Sequence, residues 1–241
     1  MQKERRLESL PEDWETALAF AAHPDDLEFG STSAIAGWTS LGKKVSYLLF
    51  TRGEAGIDSM PPAKAARLRD EEERRSVAAV GVRAVEFLDY PDGVIEYSLI
   101  LRRDIARAIR KHRPNVLVTV NHRVTFQGAR LNMGDHRWVG LAVLDATRDA
   151  GIRWIFPELL EENLERWNGV KMVCMNGSPE PTHAVDVTSF LDKGIFSLKE
   201  HRVYIENLQG FNPESFLRKN ATEAGKRFGC RFAVEFEVIW V

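Results

Sequence analysis

Short apolar runs alternate with longer amphipathic segments along most of the chain. The runs whose length and branched side chains are typical of buried strands are 16–21, 45–50, 85–88, 116–120 and 170–175. The segments with apolar residues at helical spacing are 31–41, 63–80, 99–111 and 137–150. Strands that alternate with helices in this way form right-handed crossovers between parallel strands. The pattern therefore predicts an α/β fold with a mostly parallel sheet.

The two ends of the chain depart from this alternation, although we expect all of 1–241 to form a single domain. Residues 1–14 are polar, and we expect them to form a loosely held arm. Near the other end, Ser189 is placed to cap a helix over 190–206. Residues 232–240 alternate apolar side chains with glutamates, which predicts a C-terminal strand with one wet face at an edge of the sheet.

Composition excludes several classes of protein. Lys and Arg number 33 against 35 Asp and Glu, and no long basic block suggests a nucleic-acid partner. No apolar run approaches the ~20 residues that cross a bilayer, and the charged start is not a secretory signal. Cys174 and Cys230 match no zinc or redox spacing, so we expect free thiols in a cytoplasmic protein. Homo-oligomer formation is left open.

The turn after the first strand carries the strongest chemical signal. It reads His23-Pro24-Asp25-Asp26-Leu27-Glu28, and the carboxyl edge of an open parallel sheet is where ligands bind. One imidazole beside three carboxylates is costly to bury without a compensating cation. His23 and Asp26 are spaced to bind one Zn²⁺, which leaves Asp25 as a proton acceptor. The alternative is that Asp25 or Asp26 simply caps the following helix.

A second source of ligands follows the strand at 116–120. The loop 121–134 is long for a compact domain, and such loops are often functional. It ends at Asp135-His136, where Asp135 is a suitable N-cap and His136 falls in the first helical turn. His136 would complete a three-ligand zinc site with an open position. The alternative is a surface histidine at a helix start.

Two further segments leave alternatives open. Thr51-Arg52-Gly53-Glu54 ends the second strand at the same edge, where Glu54 either points to the site or is a solvated loop residue. The segment 151–169, with Trp154 and Trp167, is a lid, an oligomer contact or ordinary core.

Together these motifs resemble a known family. His23-Pro24-Asp25-Asp26, Thr51-Arg52-Gly53-Glu54, Asp135-His136 and Lys193…His201 occur in the order seen in the zinc-dependent N-deacetylases of the PIG-L/LmbE-like family. Arg69, Glu72, Ala78-Ala79, Gly81 and Asp92-Gly93 also resemble positions of that family. The similarity runs from about residue 16 to about residue 205.

The resemblance implies a Rossmann-like three-layer sandwich and removal of an acyl group, often acetyl, from the amide nitrogen of an N-acetylglucosamine-type conjugate. One Zn²⁺ per chain is implied, with Fe²⁺ as the alternative. The residues that match family positions are His23, Asp26 and His136 as metal ligands, Asp25 as general base, Asp135 as the residue that orients the neighbouring histidine, and Arg69 and Asp92 as substrate contacts. Arg52 and Glu54 are added as substrate-binding candidates.

The sequence departs from the family pattern at three places. One is Arg202-Val203-Tyr204 after His201, which lacks the usual Ser/Thr-x-Gln pattern. Leu27 stands where the family usually has glutamate. Met133 stands where many members have a histidine that helps to stabilise the developing oxyanion. His122, His183 and Arg130 are the candidates to replace it, and we choose His183 as the catalytic candidate because it begins a late strand.

Two other functions remain open. An amidase that acts on a thiol conjugate or an antibiotic precursor would share every metal residue. A non-catalytic sugar- or nucleotide-binding module would predict a glycine-rich phosphate loop after the first strand, but the segment from His23 to Gly30 has one glycine.

Overall fold

The computed structural model describes residues 6–241, which build an eight-stranded sheet. The strands are β1 Glu8–Ser9, β2 Thr16–Ala21, β3 Lys44–Leu49, β4 Ala84–Phe87, β5 Val116–Val120, β6 Met172–Asn176, β7 His183–Asp186 and β8 Ala233–Trp240. Their order is β1-β7-β8-β6-β5-β2-β3-β4. Neighbouring strands are parallel except that β8 is antiparallel to both β6 and β7. The predicted mixed, mostly parallel sheet is confirmed.

Helices cover both faces of the sheet. They are α1 Thr32–Ser40, α2 Pro62–Ala79, α3 Leu99–His112, α4 Gly134–Gly151, α5 Glu158–Glu161, α6 Leu191–Lys199, α7 Arg202–Asn207 and α8 Pro213–Phe228. Side chains of β2 point alternately to the two faces: Ala19 packs in the layer that contains Trp38, and Leu18 packs with Ile105 and Val143. The result is a three-layer sandwich with a core on each side. Across the described residues, the longer helices are all too polar to cross a membrane.

The last strand is not at an edge, which corrects the sequence-based prediction. β8 lies between β6 and β7, and the edges of the sheet are β1 and β4. The two glutamates that suggested a wet face are neutralised by cations, because Glu235 pairs with Arg227 and Glu237 pairs with Arg123. Ion pairing, supplied by Arg227 from the preceding helix and by Arg123 from a distant loop, lets a half-polar strand occupy an interior position.

The predicted loose N-terminal arm is also wrong for the part that the structure describes. Leu7, Leu10 and Trp14 are buried, and β1 pairs in parallel with β7. Backbone pairing and burial of these apolar side chains fix residues 6–14 onto the sheet. Residues 1–5 lie outside the described residues.

The predicted helix over 190–206 is interrupted. It is divided into α6 and α7, and the N-cap of α6 is Phe190 rather than Ser189. The interruption places His201, at the N-cap of α7, fully inside the protein. The segment 151–169 packs on the core through Leu159 and Trp167, which favours ordinary core for these two residues, whereas Trp154 is 74% exposed and is not part of the core.

Candidate active site

Three side chains meet at the carboxyl edge of the sheet, and we call them the metal-ligand triad: His23, Asp26 and His136. His23 and Asp26 lie in the turn after β2, and His136 lies in the first turn of α4. His23 Nδ1 is 3.2 Å from His136 Nε2 and 3.5 Å from Asp26 Oδ1. His136 Nε2 is 2.9 Å from the same oxygen. Two segments more than a hundred residues apart therefore converge, as their positions at strand ends predicted.

In each imidazole, the ring nitrogen that points away from the triad makes a hydrogen bond. That bond determines which of the two nitrogens carries the proton. His136 Nδ1 is 3.0 Å from Asn132 Oδ1. The amide group of Asn132 is itself oriented, because its Nδ2 donates to the carbonyls of Asn121 and Arg123. His136 Nδ1 therefore donates, and Nε2 faces the triad with a lone pair.

His23 is held in the same way by carboxylates. Its Nε2 is 3.2 Å from Asp135 Oδ2 and 3.0 Å from Asp92 Oδ1, so this nitrogen donates and Nδ1 faces the triad. Burial alone lowers the pKa of His23, but Asp26, Asp135 and Asp92 outweigh it and raise the pKa well above its ordinary value. The protein thus surrounds His23 with negative charge that a cation must balance.

The donor set fits a divalent metal. Ligand atoms that lie 2.0–2.2 Å from a tetrahedral Zn²⁺ are about 3.3 Å from one another. The three separations between ligand atoms of the triad, 3.2, 3.5 and 2.9 Å, bracket that value. Two ring nitrogens that face each other at this distance need either a proton or a metal cation between them, because two lone pairs would repel.

Asp25 stands beside the triad in a strained conformation. Its φ is 95°, a value that non-glycine residues rarely adopt and that is often found at functional sites. Arg69 Nη2 donates to Asp25 Oδ1 at 2.8 Å and also to the carbonyl of Pro24, and Glu73 Oε2 accepts from the Asp25 backbone N–H at 3.4 Å. Burial raises the pKa of Asp25 to about 7, against the opposing charge of Arg69. Asp25 is thus a buried, oriented carboxyl at the cavity.

Asp135 has a different role from the one predicted. The N-cap of α4 is Met133, and Asp135 instead accepts hydrogen bonds from the backbone N–H groups of Gly93 and Ile95 at 2.8 and 3.1 Å. These two bonds fix the Asp135 carboxylate, whose Oδ2 then orients the ring of His23. The ring of His136 is oriented by Asn132 instead. Sequence reasoning did not assign Asn132, because this residue precedes the N-cap of α4 and shares no helical face with His136.

The four predicted substrate-binding residues fall into two groups. Arg69 and Asp92 line the cavity that contains the triad, although both are also engaged with site residues. Arg52 and Glu54 lie outside that lining. Arg52 pairs with Asp89 on the surface, and Glu54 accepts the backbone N–H groups of Arg52 and Asp92 at 3.2 and 3.0 Å. Glu54 therefore supports the loop that presents Asp92.

His183 is not in the cavity, which corrects its choice as a catalytic residue. Its Nδ1 lies 2.8 Å from Thr182 Oγ1, and its ring packs edge-on against Trp240. Because β8 lies beside β7 in the sheet, the side chain of His183, the first residue of β7, packs against β8 and not towards the cavity. His122 contacts Met175 Sδ and is likewise absent from the lining, whereas Arg130 is part of it.

The triad opens into a large cavity. Its volume is about 1360 Å³. Phe126 lies edge-on to the ring of His136 with centroids 5.9 Å apart, and Tyr204 lies over the Arg69 guanidinium at 3.9 Å. Tyr204 was not predicted, and its only signal is its position shortly after His201. If the triad held a metal and Asp25 acted as a base, this end of the cavity would be suited to hydrolysis of a polarised carbonyl compound.

Comparison with known proteins agrees with this chemistry. Diacetylchitobiose deacetylase of Thermococcus kodakarensis is 27% identical over 223 residues, which cover 92% of this chain and 82% of that protein. The structure of N,N'-diacetylchitobiose deacetylase from Pyrococcus horikoshii superimposes with a TM-score of 0.85 at 23% identity, covering 94% of this chain and 84% of that one. GalB, the 4-carboxy-2-hydroxymuconate hydratase of Pseudomonas putida, has a TM-score of 0.73 at 17% identity, covering 94% and 97%.

The last of these structures is named for a different reaction, so the fold alone does not select the chemistry. The family described as PIG-L, GlcNAc-PI de-N-acetylase, matches residues 18–147, which is more than half of the chain and includes the whole triad. The amide-hydrolase chemistry inferred from the sequence is the chemistry for which this family is named. The chain belongs to the PIG-L family of de-N-acetylases.

Proposed function

We propose that this protein is a metal-dependent hydrolase that removes an acyl group, acetyl in the simplest case, from the amide nitrogen of an N-acetylglucosamine-type compound. The observation that carries the proposal is the convergence of three anchored ligand atoms beside Asp25. The deacetylases among its relatives support the choice of an N-acyl sugar.

The metal that we propose is Zn²⁺, one per chain, held by His23, Asp26 and His136. Two imidazoles and one carboxylate are a donor set that zinc accepts in catalytic sites, and Fe²⁺ is the alternative. When bound, such a metal polarises the amide carbonyl and makes water more acidic.

The residues of the chain supply the proton transfers. Asp25 accepts the proton of the attacking water and then gives it to the leaving nitrogen, so water and amide become a carboxylic acid and an amine. Arg69 holds the Asp25 carboxylate towards the cavity. Arg130 is our candidate donor to the developing oxyanion, because it alone of the three residues proposed from the sequence lines the cavity.

Metal content and amine release test the proposal together. Purified protein loaded with Zn²⁺ or Fe²⁺ is incubated with N-acetylglucosamine, diacetylchitobiose and an N-acetylated thiol conjugate, and new primary amine is measured. We expect about one metal ion per chain and amine release from at least one sugar. Release from the thiol conjugate alone would favour the alternative amidase.

A metal-loaded, folded protein that releases no amine from any member of the panel would contradict the proposed reaction. A protein that binds these sugars without hydrolysing them would instead be a non-catalytic binding module. The Asp25→Asn variant is the matched control for contaminating hydrolase activity, because it keeps the size of the side chain and removes the base.

A further inference from the structure

The buried face of α2 carries polar side chains, whereas the buried face of a helix is usually apolar. Four polar residues at helical spacing are buried there: Arg69, Glu72, Glu73 and Ser76. Burying polar groups costs free energy unless hydrogen bonds compensate them. This face of α2 therefore does more than pack against the core.

The polar face of α2 reaches the segments around the active site. Glu72 Oε1 accepts a hydrogen bond from the Val203 backbone N–H at 2.7 Å. Ser76 Oγ donates to Glu28 Oε1 at 2.9 Å. These two contacts fix α2 against α7 and against the turn after β2. The other two polar residues of this face both contact Asp25.

Asp25 is held at three points in an unfavourable backbone conformation. Its carbonyl accepts the Phe29 N–H at 3.1 Å, and its carboxylate accepts from Arg69 Nη2 at 2.8 Å. Its own buried N–H donates to Glu73 Oε2 at 3.4 Å. A non-glycine residue with a φ of 95° persists only where its surroundings impose that conformation. The contact with Glu73 is the part of these surroundings that acts on the Asp25 N–H.

Glu73 acts from inside the protein and not from the cavity. It is buried, and the residues described as lining the cavity do not include it. The oxygen that faces Asp25 also lies 3.5 Å from His201 Nε2. Burial, and after it the neighbouring Glu28, raises the pKa of Glu73 well above its ordinary value. An uncharged carboxyl can accept from the Asp25 N–H without adding a second negative charge beside the Asp25 carboxylate.

We propose that Glu73 is a positioning residue for the reaction, whose side-chain oxygen holds the backbone of Asp25 in the strained conformation that presents its carboxylate to the cavity. Arg69 and Glu73 are four residues apart on one face of α2, so a single helix holds both the side chain and the backbone of Asp25. This inference rests on the proposed function, because it assigns a role in the same reaction.

Two substitutions of similar length test the inference. Glu73→Met removes the oxygen that accepts from the Asp25 N–H, whereas Glu73→Gln keeps one. With the compound that the parent protein hydrolyses fastest, we expect Glu73→Met to lower kcat by about 10- to 100-fold, because misplacing a reacting group by about 1 Å costs up to that order. KM should stay within about threefold, since Glu73 does not line the cavity. Glu73→Gln should keep kcat within about threefold of the parent.

Two measurements and a control distinguish positioning from a general structural role. Metal content should stay near one ion per chain in both variants, because the metal-ligand triad is unchanged. A crystal structure of Glu73→Met should show the Asp25 backbone outside its strained conformation, or its carboxylate displaced by about 1 Å. Ser197→Ala is the matched control, because Ser197 is buried and bonds to Ser76 on the same face of α2. It should keep the parental kcat.

The kinetic outcomes separate this inference from the proposed function. An unchanged kcat in Glu73→Met would overturn the inference and leave the proposed function standing. Equal losses in Glu73→Met and Glu73→Gln would also overturn it, because the acid itself and not an acceptor would then be needed. An equal loss in Ser197→Ala would indicate a general effect of the α2 interior. Absence of hydrolysis by the metal-loaded parent would overturn both proposals.

The structural outcomes complete the test. Loss of metal from a folded Glu73→Met variant would show that Glu73 supports the triad and not Asp25, which overturns the inference. If Glu73→Met does not fold, the structure and kcat of Glu73→Gln decide. Parental kcat with the glutamine oxygen on the Asp25 N–H supports the inference, and parental kcat with that N–H unbound overturns it. A kcat lowered beyond about threefold overturns it as well.

Discussion

Two neighbouring clusters of this protein contain the residue types that bind metals, but they differ in almost every other respect. One is the metal-ligand triad. The other, which we call the buried cluster, consists of Glu28, Glu73 and His201. In each cluster the candidate ligand atoms lie within 4.8 Å of one another. The triad opens into the cavity. Of the buried cluster, Glu28 borders the same cavity, but His201 is 0% exposed and both glutamates are 1% exposed.

Their electrostatics differ as well. In the triad, each imidazole has one nitrogen anchored and the other turned to the common centre. In the buried cluster, neither ring nitrogen of His201 makes a hydrogen bond to the residues described, although its Nε2 lies 3.5 Å from Glu73 Oε2. Burial lowers the pKa of His201 to about 3 and raises that of Glu28 to about 8, so both side chains are neutral near pH 7. A neutral, enclosed cluster does not attract a cation. Residue types alone therefore do not define a metal site. Access from the cavity and hydrogen bonds that orient the ligands are also needed.

The largest effect that sharpens this comparison is expected at Asp25. We expect Asp25→Ala to lower turnover by about 10²–10⁴-fold, because the variant lacks the proposed general base. Metal content should stay near one ion per chain, measured by atomic emission on the purified variant. Loss of the metal from a variant with an unchanged circular dichroism spectrum would contradict the role assigned to Asp25.

His136→Ala tests the triad directly. Removing one of three protein ligands should weaken metal binding by more than the roughly 10- to 100-fold typical of an outer partner, and activity should fall in parallel. Chelator competition measures the affinity. His183→Ala is the matched control, because His183 lies outside the cavity, and it should keep its metal. Equal affinity in the two variants would remove His136 from the ligand set.

Asn132→Leu tests whether anchoring matters. The variant keeps all three ligands but removes the acceptor for His136 Nδ1, so we expect metal affinity to fall by about 10- to 100-fold. Asn168→Leu, at an exposed position away from the cavity, should leave the affinity unchanged. An unaltered affinity in Asn132→Leu would show that the triad binds its ion without this anchor.

The smallest effect on metal binding is expected in the buried cluster. His201→Gln should leave metal affinity within about twofold but change how stability depends on pH. The pKa of His201 is about 3 in the folded protein, below its unfolded value of 6.5, so the unfolded chain binds the extra proton below about pH 6.5. Stability is therefore lost as pH falls, by about 1.4 kcal/mol per pH unit from this group.

Urea unfolding of His201→Gln and the parent protein between pH 7 and pH 5 measures this difference. The parent should lose stability more steeply as the pH falls. Parallel pH profiles would show that His201 is not buried as a neutral group, and a large loss of metal from the variant would join the two clusters into one site.

Much of the fold could be predicted because its signal is local. The strands at 16–21 and 116–120 were predicted with the bounds that the structure has, since their apolar runs are short and sharply bounded. The helix of α3 differs by one residue at its end. The same local signals were misleading for β8 and for residues 6–14, where the partner that buries or neutralises the segment lies far away in the chain.

The residues of the candidate site also fall into those that local signals identified and those whose contacts depend on the tertiary structure. The triad and Asp25 were named from residue types at strand ends, because topology brings the ends of parallel strands to one edge. Asn132 and the true contact of Asp135 were missed, and His183 was misplaced. Each of these depends on which side chain faces which neighbour across more than a turn of structure, and no periodicity of the sequence carries that information.

The sequence by itself determined the α/β alternation, the candidate ligands and the resemblance to a de-N-acetylase family, because each is written in a few contiguous residues. Only the tertiary structure decided which residue orients each imidazole and which cluster opens widely to a ligand. Those features depend on distances between segments separated by tens to hundreds of residues. Such distances are set by the packing of the whole sheet and its helices.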